Sequence, residues 1–340
     1  MRKIITVIAL IYFNSTLSQS LSGIENFILA SQQDQNLLSE KYFKPLFNSM
    51  QVSMGEGWTK SAKTHKKFGF DISLFVSAIN IPESDKSFNM TGFSNLTSSS
   101  ETNPTIFGEE TNSVFDVEYQ PEGENYSVSS SFDAPDGFGS KLKEGRVLLP
   151  NLQLTLGVPF KTDLIFRYMP KINSDGARFE SLGFGIKHNI LQHFKITKPL
   201  PLNLSALITF SKLEGAYNIG QNSEIDGSSQ FANMNVNNTS FGLVGSVDLK
   251  IISLYGSISQ VYSKSSFDIS GNYVLNYEIN NDSGQVYQVE LVDPVSIDNK
   301  LNYLRKNIGL LFNFPVVKLF VDYSSMKYNS INAGLSLSIR

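Results

Sequence analysis

The chain has 340 residues, with Lys+Arg 28 against Asp+Glu 31. A formal net charge of -3 offers neither a basic surface for nucleic acid nor a strong field of either sign. The absence of cysteine excludes disulfide frameworks, Cys-ligated zinc and thiol catalysis together.

Met1 is followed by Arg2 and Lys3 and then by a compact apolar run over residues 4–13. That run is shorter than the about 20 residues that cross a bilayer as a helix. Thr16, Leu17 and Ser18 follow, with small residues where a signal peptidase reads. Residues 1–18 therefore read as a secretory signal peptide, cut near Ser18–Gln19; the competing reading is a buried N-terminal strand or helix. Downstream there is no second apolar stretch of 18 or more residues, so a transmembrane helix is not expected.

Residues 19–50 carry a helical rhythm. Ser22 and Glu25 have capping-box spacing, and Ile24, Phe27, Ile28, Leu37, Leu38 and Leu46 follow at roughly helical intervals around the polar run 32–36. The pattern predicts one or two amphipathic helices between about residues 23 and 50, broken at Pro45. An apolar stripe through Ile24, Phe27, Ile28, Leu37 and Leu38 needs a surface to pack on, either a barrel lumen as a plug or a periplasmic face. The Gly55-Glu56-Gly57-Trp58 segment holds the only tryptophan. Trp58 is expected to anchor at the membrane interface, the alternative being that it lies beside the helix and seals the lumen.

Across residues 51–340 the period changes to 2. Phe68, Phe70, Ile72, Leu74, Val76 and Ala78 alternate with polar residues and glycine, Phe75 being the exception. Leu152, Leu154, Leu156, Val158 and Phe160 repeat the rhythm, as do Leu182, Phe184, Ile186 and Ile190. It recurs over residues 202–210, 241–249, 267–277 and 308–314, and closes with Leu335, Leu337 and Ile339. Such segments have one apolar and one polar face. Many exceed the usual soluble strand and match the about 9–11 residues of a tilted membrane strand. The polar positions, mostly Ser, Gly, Asn, Thr and Gln, suit a hydrated or plugged lumen. Tyr168, Tyr255, Tyr262, Tyr277, Tyr323 and Tyr328 lie towards segment ends, where aromatic girdles are expected.

Lys161-Thr162 and Phe314-Pro315-Val316 look like tight turns, whereas residues 82–112, 218–238 and 280–299 read as long polar loops. This asymmetry is that of short periplasmic turns and longer extracellular loops. Disorder is the alternative for residues 95–105. The segments number 12–16, with 14 favoured because such barrels have even strand numbers. The alternation runs to the end of the chain, as closure onto the first strand requires, although Arg340 replaces the usual terminal aromatic. The fold class expected is all-β, a transmembrane antiparallel barrel of about 14 strands with an N-terminal amphipathic helical segment. A secreted β-sandwich or jelly roll is the soluble competitor.

Chemistry is sparse. His65, His188 and His193 show no metal-ligand spacing, and no Gly-x-Ser-x-Gly elbow occurs, so no enzyme, metal or cofactor is expected. The acidic stretch Glu109, Glu110, Asp116, Glu118, Glu122 and Glu124, with Asp133 and Asp136, reads as a solvated extracellular loop rather than a calcium site. The Asn89-Met90-Thr91 and Asn95-Leu96-Thr97 triplets reflect loop composition rather than glycosylation.

Two stretches carry a family resemblance. The first is Gly57-Trp58 with His65 and Phe68-Gly69-Phe70-Asp71. The second is residues 149–153 and 157–164, then Arg167-Tyr168-Met169-Pro170 and Gly185-Ile186-Lys187-His188. Together they resemble an uncharacterised outer-membrane barrel family of Bacteroidota, a domain of unknown function, over nearly the whole mature chain. The resemblance implies a fold and no activity. More loosely the chain is similar to the long-chain fatty-acid channel family, whose 14-stranded barrel holds an N-terminal plug; none of that family's ligand residues has a counterpart here.

These readings predict a protein of the Gram-negative cell outer membrane that passively passes or binds a small hydrophobic molecule. The alternative is a closed structural or surface-interaction barrel. The partners expected are outer-membrane lipid, the barrel-assembly machinery and that small hydrophobic ligand, with no nucleic acid.

Overall fold

Strict alternation in the sequence becomes strands whose two faces meet different surroundings. The computed structural model describes residues 24–142, 145–174, 177–194, 201–221, 225–280 and 284–339. The expected signal peptide and the Ser22 capping position lie outside them.

A short 3₁₀ turn, Ile24–Leu29, leads into one helix, α1 (Gln32–Gly55). A strap over residues 56–69 connects it to the first wall strand, β1 (Phe70–Asn80). The connection that follows holds β2 (Ser87–Asn89), β3 (Leu96–Ser98), β4 (Thr102–Pro104), β5 (Val114–Tyr119) and β6 (Val128–Asp133). Then come β7 (Arg146–Val158), β8 (Thr162–Ser174), β9 (Ala177–Asn189), β10 (Leu202–Asn218) and β11 (Gly227–Asp248). The chain closes with β12 (Ile252–Ile279), β13 (Val286–Val292), β14 (Val295–Asn313), β15 (Val317–Ser325) and β16 (Ser330–Ile339).

The sheet contains fourteen strands among the described residues, the number favoured from sequence, but they do not all close the ring. Ten antiparallel strands form the barrel: β1, β7 to β12 and β14 to β16, with β1 bonded to both β7 and β16. Four more, β3, β5, β6 and β13, extend the sheet from β12 outside the ring, and β2 pairs with β4 apart from it. Closure leaves no unpaired edge facing lipid.

The three-residue turns between β7 and β8, β11 and β12, and β14 and β15 lie at one end, together with the longer β9–β10 connection. The other end carries the long β1–β7 and β12–β14 connections beside the short β8–β9 and β15–β16 links. Two segments expected there as loops are largely strand, because β11 begins at Gly227 and β13 and β14 cover most of residues 286–299. They read as loops because their outward residues are polar. The 28-residue β12 spans roughly 90 Å at about 3.3 Å per residue, well over the about 9–11 residues lipid requires, so its second half stands in water.

The amphipathic sense reverses along these strands. Near the turn end of β11, Leu243 and Phe241 face outward and are exposed, while Ser246 and Ser240 are buried inside. Towards the loop end the same outward register carries Asn235 and Asn233, and the inward one Val236 and Met234. In β12 outward Leu254, Ile258 and Tyr262 give way to Lys264 and Asp268, and inward serines to Phe267, Ile269, Tyr273 and Leu275. One half thus has an apolar outer belt around a polar interior, as a membrane barrel requires; the other has the apolar interior of a protein in water. The environment around the belt is lipid.

The tyrosines divide accordingly. Tyr168, Tyr262 and Tyr323 are exposed on the outer face, whereas Tyr255, Tyr277 and Tyr328 are buried inward, contrary to a girdle of all six. The inward three fill interior space, and the phenols of Tyr255 and Tyr277 donate to Asp322 and the Leu29 carbonyl.

Candidate functional site

Helix α1 runs inside the ring, where it packs against β14, β11, β12, β1 and β10. Nearly every side chain from Tyr42 to Gly55 is buried, which explains a weak stripe in the sequence: a helix enclosed on all sides needs no polar face. The helix passes through Pro45 instead of breaking there and ends at Gly55 instead of residue 50. Enclosure by the wall supplies the packing that offsets the lost backbone hydrogen bond.

At the loop end the contacts are apolar. Phe27 and Ile28, expected on the packing face, are fully buried, as is Leu38; Leu37 is half-buried, and the Ile24 side chain lies outside the described residues. Phe27 meets Tyr42 and Phe43 edge-on at 5.1 and 6.1 Å, and Phe43 packs on Phe267 of β12 at 4.6 Å. Further along, α1 is held by amides: Asn238 donates to the Gln51 carbonyl (3.1 Å), and Asn299 donates to the side-chain oxygens of Asn48 (3.2 Å) and Gln51 (2.9 Å).

The helix ends on a buried charged network at belt level. Glu56 is fully buried and accepts from Arg305 Nε (2.8 Å), Ser324 Oγ (2.6 Å) and Asn332 Nδ2 (2.8 Å). Asn332 also donates to Asp322 (2.7 Å), whose other oxygen accepts from Tyr255 (2.8 Å). One carboxylate on the plug is thus bonded to three wall strands.

Trp58 follows, 1 % exposed, its indole N–H donating to the Met54 carbonyl at 2.9 Å and its ring covered by the Arg167 guanidinium at 3.9 Å. It points into the lumen, not to lipid, which corrects the expectation of an interface anchor. The physical reason lies on β9: a Cβ at Gly183 would stand 2.7 Å from Trp58 Cη2, so the bare glycine makes the slot for the indole. Gly57 turns the chain into that slot at φ +65°, a left-handed conformation that suits glycine.

Beyond Trp58 the strap crosses a second network. His65 lies between two wall carboxylates, Nε2 2.8 Å from Asp71 and Nδ1 3.2 Å from Asp163. Lys60 pairs with Asp71 (2.7 Å) and Lys187 with Asp163 (3.1 Å). Burial opposes the imidazolium, but donation to the Asp163 and Asp71 carboxylates, and their charge, outweighs it and raises the His65 pKa above its ordinary value. This network borders a chamber of about 480 Å³ at the turn end, whose lining includes Trp58, Lys60, His65, Gln153, Lys250 and Lys318.

Histidine spacing gave no hint of two arrangements. His65 sits in its carboxylate bracket, and His188 and His193 approach to 3.0 Å between Nε2 atoms near the β9 terminus. No group of three or more His, Cys, Asp or Glu side chains able to hold a metal occurs among the described residues. Part of the acidic stretch, expected as a loop, is strand β5, where Asp116 accepts from Ser131 (2.6 Å). The Glu56–Arg305–Asp322 network was missed entirely. Its one signal was the presence of single charges on strand registers otherwise filled by Ser, Asn and Gly, since an inward charge needs a partner.

Three solved structures are similar to this chain over most of its length. The attachment invasion locus protein Ail of Yersinia pestis is 11 % identical, covering 81 % of this chain and 100 % of that one, with a TM-score of 0.23. The outer-membrane protease OmpT of Escherichia coli is 12 % identical over 82 % and 100 %, with a TM-score of 0.30. The β domain of the Bordetella autotransporter BrkA is 10 % identical over 80 % and 99 %, with a TM-score of 0.30. No residue or activity transfers from them. No curated protein matches the chain. Over residues 1–339 it matches one family model, and it belongs to that family, a family of unknown function (DUF6588).

Proposed function

We propose that this protein is a plugged barrel of the cell outer membrane, which binds a small molecule in the chamber at its short-turn end and does not conduct solutes freely. One observation carries the reading: α1 and its strap lie inside the ring, bonded to the wall through Glu56 at belt level and through an apolar core at the loop end. The apolar interior is occupied by the protein's own side chains, while the chamber sets Lys, His, Asp, Gln and Ser beside a smaller number of apolar side chains, Trp58, Ile165, Leu249, Leu311 and Pro315. That chemistry favours a polar ligand over the hydrophobic one expected from sequence. The reading is one of binding rather than catalysis: both ring nitrogens of His65 face carboxylates, leaving neither to serve a nucleophile.

The test is planar-bilayer conductance of the refolded full chain, beside a variant in which Asn48 and Asn299, hydrogen-bonded across the plug–wall boundary, are changed to Cys. The chain has no other cysteine, so a short thiol crosslinker joins plug to wall uniquely. Silence is expected from both, with brief openings in mild urea abolished by the crosslink. Large steady conductance from the unmodified protein would refute the plug.

A further inference from the structure

We propose that the turn-end chamber is a receptor for a small polyanion bearing phosphate or several carboxylates. The inference rests on the ligand-holding chamber of the preceding reading and adds the ligand's chemistry. Lys60 and Lys187 are neutralised by Asp71 and Asp163. Lys63, Lys66, Lys250 and Lys318 also line the chamber, and none has a carboxylate within ion-pair distance among the described residues. Against these four cations the lining offers one further carboxylate, Asp248, which already accepts from Ser61 (2.8 Å), Ser246 and Asn203 (2.9 Å). Asp248 is therefore held by the wall and the strap rather than by a lysine.

Behind this surface Arg167 adds a further cation. It is 1 % exposed, shares Trp58 and Gln153 with the chamber wall, and donates to Gln153 at 3.0 Å. Its Nε and Nη1 have no hydrogen-bond partner among the described residues. Lys63, Lys66 and Lys250 are exposed and Lys318 is half-buried, so these four cations form a solvent-facing rim of one sign on the chamber, whose field acts on whatever enters. A multivalent anion is drawn by that field. A neutral or cationic solute is not. The volume of about 480 Å³ suits a small molecule or a lipid headgroup, not a folded partner.

The experiment is isothermal titration of inorganic pyrophosphate into the full refolded protein in zwitterionic detergent at low salt. Saturable binding of one equivalent is expected, weakening as KCl is raised. The Lys250→Gln/Lys318→Gln double variant should bind about tenfold or more weakly, having lost two of four charges on a confined anion. Lys264→Gln, on the outer face where that lysine pairs with Asp298, should bind as the parent does. Native fold in each variant is checked by circular dichroism and heat-modifiable mobility. No saturable heat from the parent, or unchanged affinity in the double variant, overturns the proposal. Repeating the titration in nanodiscs with and without phosphatidylglycerol separates the sources. Competition by that lipid assigns a headgroup, its absence a soluble anion, and both support the anion site. Silent bilayers without pyrophosphate binding would remove the polyanion and leave the plugged barrel standing; steady conductance would remove the plug without touching the titration.

Discussion

Removing the Glu56 carboxylate should loosen the plug from the wall before the wall itself unfolds. In Glu56→Ala the Arg305 guanidinium, 3 % exposed, loses its 2.8 Å partner and keeps a 3.4 Å contact to Ser257, while Ser324 loses its acceptor and Asn332 is left with Asp322. Breaking a buried ion pair from one side costs about 3–5 kcal/mol, because the remaining charge stays buried and unpaired. That amounts to about a hundredfold or more in the docked-to-undocked ratio of the strap. Trp58, two residues away and the sole tryptophan, reports that step by fluorescence, and circular dichroism reports the sheet. In a urea titration the parent should show coincident transitions. In Glu56→Ala the Trp58 transition should move to lower urea and precede the sheet transition. The Glu56→Ala/Arg305→Ala double variant should recover part of the loss, since it removes the orphan charge. Coincident transitions in Glu56→Ala, within about 0.5 kcal/mol of the parent, would refute the anchoring role.

Gly183→Val should push the Trp58 indole out of its slot, costing about 1–3 kcal/mol and shifting its emission, because even a Cβ would stand 2.7 Å from the ring. His65 should make stability fall as pH rises: its folded pKa is raised above 6.5, so its contribution is complete below that value and is lost as pH climbs through the raised one. Urea midpoints of the parent between about pH 6 and 9 should therefore decline, while those of His65→Gln stay flatter; a parent midpoint that rises would contradict the carboxylate bracket. The reversal of sidedness predicts that Leu243→Arg, in the lipid belt, costs about 2–4 kcal/mol in refolding into bilayers. Asn235→Arg, on the same outward register towards the loop end and paired across from Glu214, should fall within about 0.5 kcal/mol of the parent.

Much of the barrel was legible because a strand's period is 2 and lipid demands an unbroken apolar face. Leu152, Leu154 and Leu156, or Leu335 and Leu337, could belong to few other surroundings. The same rule misled beyond the belt. Asn235, Asn237 and Asp298 face outward on an extended wall, so their segments read as loops. The four strands outside the ring were not read from sequence, because β3, β5 and β13 lie in segments that read as polar loops and only the closed structure shows them extending the sheet from β12.

Local sequence determined the two-faced strands, the asymmetry between tight turns and long connections, and the presence of a helix ahead of the wall, since each depends on neighbours a few residues apart. Tertiary structure alone decided that the helix lies within the ring, continues through Pro45 and ends on Glu56. It also turned Trp58 inward and set Lys250 and Lys318 at the mouth of one chamber. Those outcomes depend on residues far apart in the chain, such as Glu56 with Arg305 and Trp58 with Gly183, which meet only when the ring closes around the helix.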